Sequence, residues 1–115
     1  MPGATFEPFD VVVVPFPFTD LPVSKRRPAV VVSTGAFNRG HDQIVLAMIT
    51  SAKGSDWPSD VPLTDWLGAG LTVSCRVRLK VFTLDQALVI RRVGALAAED
   101  RRAVGQALAA NLAVG

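Results

Sequence analysis

The chain has 115 residues, half of them hydrophobic and 19% charged, which is ample for one packed core, excludes a disordered chain, and makes residues 1–115 read as a single domain. Its one cysteine, Cys75, excludes an intramolecular disulfide and a cysteine-based zinc site and fits a reducing, cytoplasmic setting. No apolar run approaches the ~20 residues needed to cross a bilayer, and the first ten residues lack the basic region of a secretory signal.

Val11 to Val14 is a run of four β-branched residues that predicts a strand buried on both faces, ended by Pro15 and Pro17. A polar loop follows, then Pro28 to Ser33 predicts a second strand entered through its proline. Thr34 to Asp42 holds Gly35, Asn38, Gly40 and the single histidine, His41, and reads as a turn-rich connection. Gln43 to Thr50 is a third, largely apolar strand ending in the hydroxyl pair Thr50-Ser51. Ala52 to Gly70 is loop-like, with a short strand over Val61 to Thr64. From Leu71 to Phe82, apolar residues alternate strictly with Thr72, Ser74, Arg76, Arg78 and Lys80, the pattern of a half-buried strand. Ala87 to Val93 adds another strand, and Val104, Leu108 and Leu112 stand at helical spacing in an alanine-rich segment from Leu96 to Leu112. Five to seven short strands followed by one helix, with no helix between strands, predict a mainly β fold: a small barrel of bent antiparallel strands with a C-terminal helix. The apolar composition at this size predicts a surface buried against a second copy.

The net charge is only +2, but its cations cluster in Lys25-Arg26-Arg27, Arg76, Arg78, Lys80, Arg91-Arg92 and Arg101-Arg102, the footprint of a polyanion site. Same-face residues on a strand lie ~7 Å apart. Ser74, Arg76, Arg78 and Lys80 could therefore track successive phosphates, or form a solvated face paired with the acids. Lys25-Arg26-Arg27 sets three cations at the mouth of a strand, where a guanidinium fork suits phosphate binding and stabilisation of growing negative charge. The hydroxyls of Thr50 and Ser51 can donate to a non-bridging oxygen. Each motif alone reads equally as ordinary surface or strand exit.

Together the blocks Asp10 to Asp20, Lys25-Arg-Arg-Pro-Ala-Val-Val-Val-Ser33, Ala47-Met-Ile-Thr-Ser51 and Ser74-Cys-Arg-Val-Arg-Leu-Lys-Val-Phe-Thr-Leu-Asp85 resemble, in order, the successive blocks of the MazF/PemK toxin family. The resemblance implies an SH3-like barrel with a C-terminal helix, paired as a homodimer whose groove receives single-stranded RNA. It implies an endoribonuclease without metal or other cofactor, neutralised by a cognate antitoxin. Arg27 and Thr50 match the family's catalytic arginine and threonine, and Ser74 matches a substrate-contacting serine. Lys25, Arg26, Ser51, Arg76, Arg78, Phe18 and His41 complete the expected substrate-binding set. The loops Phe18 to Lys25 and Phe37 to His41 are the expected sites of base recognition and antitoxin competition. His41 is also the one histidine of the chain, the residue type most used for proton transfer. Two alternatives stand beside this reading: a non-catalytic toxin that captures a protein such as gyrase, as CcdB-like toxins do, and an inactive relative that only binds RNA or antitoxin.

Overall fold

The computed structural model describes residues 5–16 and 25–113. Six strands, β1 (Asp10–Phe16), β2 (Lys25–Val31), β3 (Gln43–Ser51), β4 (Val61–Pro62), β5 (Cys75–Asp85) and β6 (Arg91–Ala95), form one antiparallel sheet in the order β4-β5-β3-β2-β1-β6. Helix α1 (Gly35–His41) joins β2 to β3, and α2 (Ala98–Asn111) closes the chain. The fold is the expected mainly β one: a curled sheet, or half-barrel, with a C-terminal helix.

Because side chains alternate across a strand, the valine run of β1 buries both faces. Val11, Val30, Ala47, Ile49 and Val77 face one side, against Val61, Leu63, Leu71, Leu96 and Val104 of α2. Val12, Val14, Ala29, Val31, Ile44, Leu46 and Met48 face the other, with Phe6 and Leu84. Along α2 Val104 is the one buried apolar residue, Asp100 is buried beside it, and Leu112 at the helix end is exposed.

Several expectations are corrected. β1 runs through Pro15, which pairs with Arg26, and β2 begins at Lys25, so Pro28 sits within it opposite Val13. The ladder to β3 starts only at Ala29, so a proline at position 28 interrupts no pairing on that side. β5 starts at Cys75 rather than Leu71, and a bulge interrupts its ladder to β3: Met48 pairs with Arg78 but Ala47 pairs with Val81, leaving Leu79 and Lys80 between them. Cys75 and Val77 are buried before the bulge and Leu84 after it, whereas Val81 becomes exposed. The expected short strand at Val61 is only two residues long, and the one expected at Ala87 is a 3₁₀ turn (Gln86–Leu88) leading into β6.

The segment expected as a turn-rich connection is helix α1. Thr34 Oγ1 accepts the Phe37 N–H at 3.2 Å, and Asp42, in the left-handed region at φ 53°, ends the helix. What anchors it is polar. Asn38, fully buried, donates to the Phe6 carbonyl at 2.8 Å and accepts from Ser33 Oγ, which itself accepts from the Val45 N–H at 2.9 Å. No apolar period announces such a helix.

The curl brings the segment after β4 against β6. A Cβ on Gly94 would lie 2.3 Å from the Ala69 carbonyl oxygen, and one on Gly70 would lie 2.3 Å from that of Val93. Both obstacles are backbone and cannot swing away, so the half-barrel closes only with glycine at these positions. Gly94→Ala is expected to cost about 1–3 kcal/mol, seen as a lower denaturant midpoint at unchanged slope.

Candidate functional site

Continuing the β2–β3 register by two residues from Ala29–Met48 sets Arg27 opposite Thr50, with Val14 on Arg27's other side. The two side chains line the same two adjoining depressions. One, of about 170 Å³, is completed by Phe16, Met48, Ile49, Arg78 and Lys80. The other, of about 280 Å³, runs past Ser51, Leu71, Thr72 and Val73. The Arg27 guanidinium lies 6.0 Å from the Phe16 ring centroid. Its Nε is buried with no hydrogen-bond partner, and among the described residues no carboxylate pairs with it. A buried donor without a partner is costly, and an arginine so placed is disposed to accept an anion from solution. By strand alternation Lys25 shares Arg27's face and Arg26 takes the opposite one; both are exposed.

The sequence left two readings of the cations along β5, a row tracking phosphates or a face paired with acids. For Arg76 and Arg78 the structure shows the pairing, made by the loop after β3. Arg76, its side chain 9% exposed, donates to the carbonyl oxygens of Lys53, Gly54 and Ser55 at 3.2, 3.5 and 3.2 Å and pairs with Asp56 and, at 3.4 Å, with Asp60. Arg78 forks onto Asp60 through Nε at 3.1 Å and Nη2 at 2.8 Å and lies 4.9 Å from the Trp57 ring centroid. Lys80 Nζ is 5.8 Å from the same ring. Arg78 holds the Asp60 carboxyl below the ordinary carboxylate range, despite an opposing effect of burial. Arg76 is therefore spent on the loop, whereas Arg78 and Lys80 still reach the depression that holds Arg27 and Thr50.

The other expected residues are dispersed. Ser74 precedes β5, exposed, and opens on a separate depression beside Trp57, Asp60 and Arg76. Cys75 lines both neighbouring depressions, and burial pushes its thiol pKa up, keeping it protonated. His41 sits exposed at the C-terminal end of α1, its ring 4.5 Å from that of Phe37. That is the opposite end of β3 from Thr50, roughly 20 Å away at about 3.3 Å per residue, so within one chain His41 does not share the Arg27–Thr50 depression. Phe18 lies outside the described residues. Among the described residues no group of three or more His, Cys, Asp or Glu is arranged to hold a metal ion, and no helix is long and apolar enough to cross a membrane. The sequence reading missed Asp60 and Trp57, which sit in a loop without periodicity; the only signal was that two arginines of one strand face need acids.

Sheet order, curl and terminal helix define a small SH3-like barrel protein. The chain belongs to the PemK-like, MazF-like toxins of type II toxin-antitoxin systems, whose family pattern matches residues 7–112. Among solved structures it is similar to a MazE–MazF complex from Deinococcus radiodurans, at 20% identity and TM-score 0.74, over 98% of this chain and 100% of that one. It is also similar to the Mycobacterium tuberculosis toxin MazF-mt6, at 20% identity and TM-score 0.68, over 88% and 93% of the two chains. A third is an endoribonuclease in complex with its cognate antitoxin from a mycobacterial species, at 17% identity and TM-score 0.71, over 92% and 91%. At these identities the likeness shows the fold. No curated protein matches the sequence.

Proposed function

We propose that this toxin is an endoribonuclease that cuts single-stranded RNA without a metal ion, works as a homodimer, and is silenced by a cognate antitoxin. The observation that carries the reading is that Arg27, in no ion pair among the described residues, and Thr50 line one depression together with Arg78 and Lys80. Membership of the toxin family and the shared fold with an endoribonuclease solved with its antitoxin support it.

In the proposed reaction a ribose 2′-oxygen attacks the adjacent phosphorus as its proton passes to water. The bond to the 5′-oxygen breaks, and that oxygen takes a proton from water. The products are a 2′,3′-cyclic phosphate and a 5′-hydroxyl. Arg27 stabilises the charge gathering on the phosphorane oxygens, and Thr50 donates to one of them. A guanidinium gives up its proton poorly, so Arg27 acts by charge rather than as a proton donor. His41, at the far end of β3, takes no part in this step within its own chain.

Purified protein incubated with mixed RNA in EDTA is expected to generate new 5′-hydroxyl ends at a recurring short sequence, read by end-specific sequencing. A single 2′-deoxy sugar at the cut site is expected to abolish cleavage there. Persistent cutting of that substrate would overturn the transesterification scheme, and arrested growth with intact RNA but damaged DNA would favour capture of a protein such as gyrase.

A further inference from the structure

We propose that Asp60 is a positioning residue of the RNA site: its carboxylate fixes the Arg78 guanidinium at the wall of the Arg27–Thr50 depression, making Arg78 rather than Arg76 the second phosphate-binding cation. This rests on the endoribonuclease reading and deepens it.

The Asp60 side chain is only 5% exposed and lies between the two arginines of β5. It accepts the Trp57 N–H at 3.0 Å and receives Arg78 through two parallel N–H groups, the geometry that fixes a guanidinium plane in both direction and tilt. The Ser55 carbonyl takes a further bond from Arg78 Nη2 at 2.7 Å, and the Trp57 ring covers the group. Nη1 is left without a hydrogen-bond partner among the described residues, on a side chain that lines the same depression as Arg27 and Thr50. Fastening the loop does not call for this second fork, because Arg76 already holds three consecutive loop carbonyls. What the fork adds is a fixed direction for Arg78. A guanidinium held in place before RNA arrives loses less freedom on binding than one that must be ordered by it. Arg78 also lowers the Asp60 pKa, which favours the charged form the fork needs.

Counting charges alone gives the opposite expectation. Removing a carboxylate beside an RNA site strengthens attraction to phosphate, so Asp60→Asn would bind RNA more tightly. Positioning makes it bind and cut less well. The test compares wild type, Asp60→Asn, Arg78→Gln and the double variant, each checked for an unchanged melting profile at assay temperature. Cleavage is followed on a single-stranded RNA, and binding on the same oligonucleotide blocked by a 2′-deoxy sugar.

Asp60→Asn is expected to lose about tenfold to a hundredfold in kcat/KM, the range a misplaced contact costs. Its slope of log affinity against log salt should become shallower by about 0.7, one phosphate contact on a single strand. Arg78→Gln should do the same, and the double variant should be no worse than Arg78→Gln. Unchanged or tighter binding by Asp60→Asn overturns the proposal, as does a loss that persists in full in the Arg78→Gln background, since that marks a purely structural role. If Asp60→Asn does not fold, Asp60→Glu carries the test: it keeps the charge but displaces the fork, and wild-type activity in that variant overturns the proposal. A wild-type protein that neither binds nor cuts RNA overturns the endoribonuclease reading and this one with it; active wild type beside an equally active Asp60→Asn overturns this one alone.

Discussion

Arg27→Ala is expected to slow RNA cleavage by at least about 10²–10³, the loss that follows removal of one well-placed donor to developing charge and equal to about 3–4 kcal/mol of barrier. The effect should fall on the chemical step, so single-turnover measurements at saturating enzyme are the ones to make. Stability should hardly change, because Arg27 is in no ion pair among the described residues and its Nε is buried without a hydrogen-bond partner. An activity loss at constant stability therefore separates a chemical role from a structural one. Arg27→Lys keeps the charge but loses the planar fork, and its rate should fall between the two. A change below tenfold for Arg27→Ala would remove this side chain from the mechanism.

Asp100→Ala is expected to produce a large loss of stability although it lies away from the site. Asp100 is 1% exposed, in the first turn of α2. It accepts the Thr64 N–H and hydroxyl through Oδ1, both at 2.9 Å, and the Asp65 N–H through Oδ2 at 3.0 Å. Alanine leaves these donors to find water or remain unpaired, at a cost of about 2–4 kcal/mol. For a domain of this size that lowers the melting temperature by roughly 10 °C. Asp100→Asn retains an acceptor oxygen and should lose about half as much. Thermal unfolding followed by circular dichroism checks both, and a fall under about 2 °C for the alanine variant would show that the loop after β4 is held by its apolar contacts instead.

These two residues mark where the sequence was legible and where it was not. Arg27 could be singled out because a short cationic run beside a strand and a hydroxyl at the end of another are local patterns, and antiparallel pairing of consecutive strands brings them together. Asp100 looks in sequence like an ordinary acid at a helix N-terminus; its role depends on backbone donors 35 and 36 residues away. The same limit explains α1, whose buried face centres on Asn38, so apolar periodicity had nothing to register. On β5 the strict alternation gave the right element but left open whether its cations stand free or pair with acids. Both faces of the sheet carry a core, Cys75 and Val77 packing into one and Leu84 into the other, and a loop that reads as featureless supplies the acids that claim Arg76 and Arg78. Strand identity comes from neighbours in sequence, but the availability of a charge is decided by whatever folds over it.

Arg76 has a practical corollary for rebuilding this protein. It clasps carbonyl oxygens, which any amino acid provides, so positions 53 and 55 can change while the clasp survives, whereas Gly54, at φ 97°, must stay glycine. A designer could exchange Lys53 and Ser55, leaving Gly54, Arg76 and Asp60 untouched, and alter the chemistry displayed at one rim without redesigning the scaffold beneath.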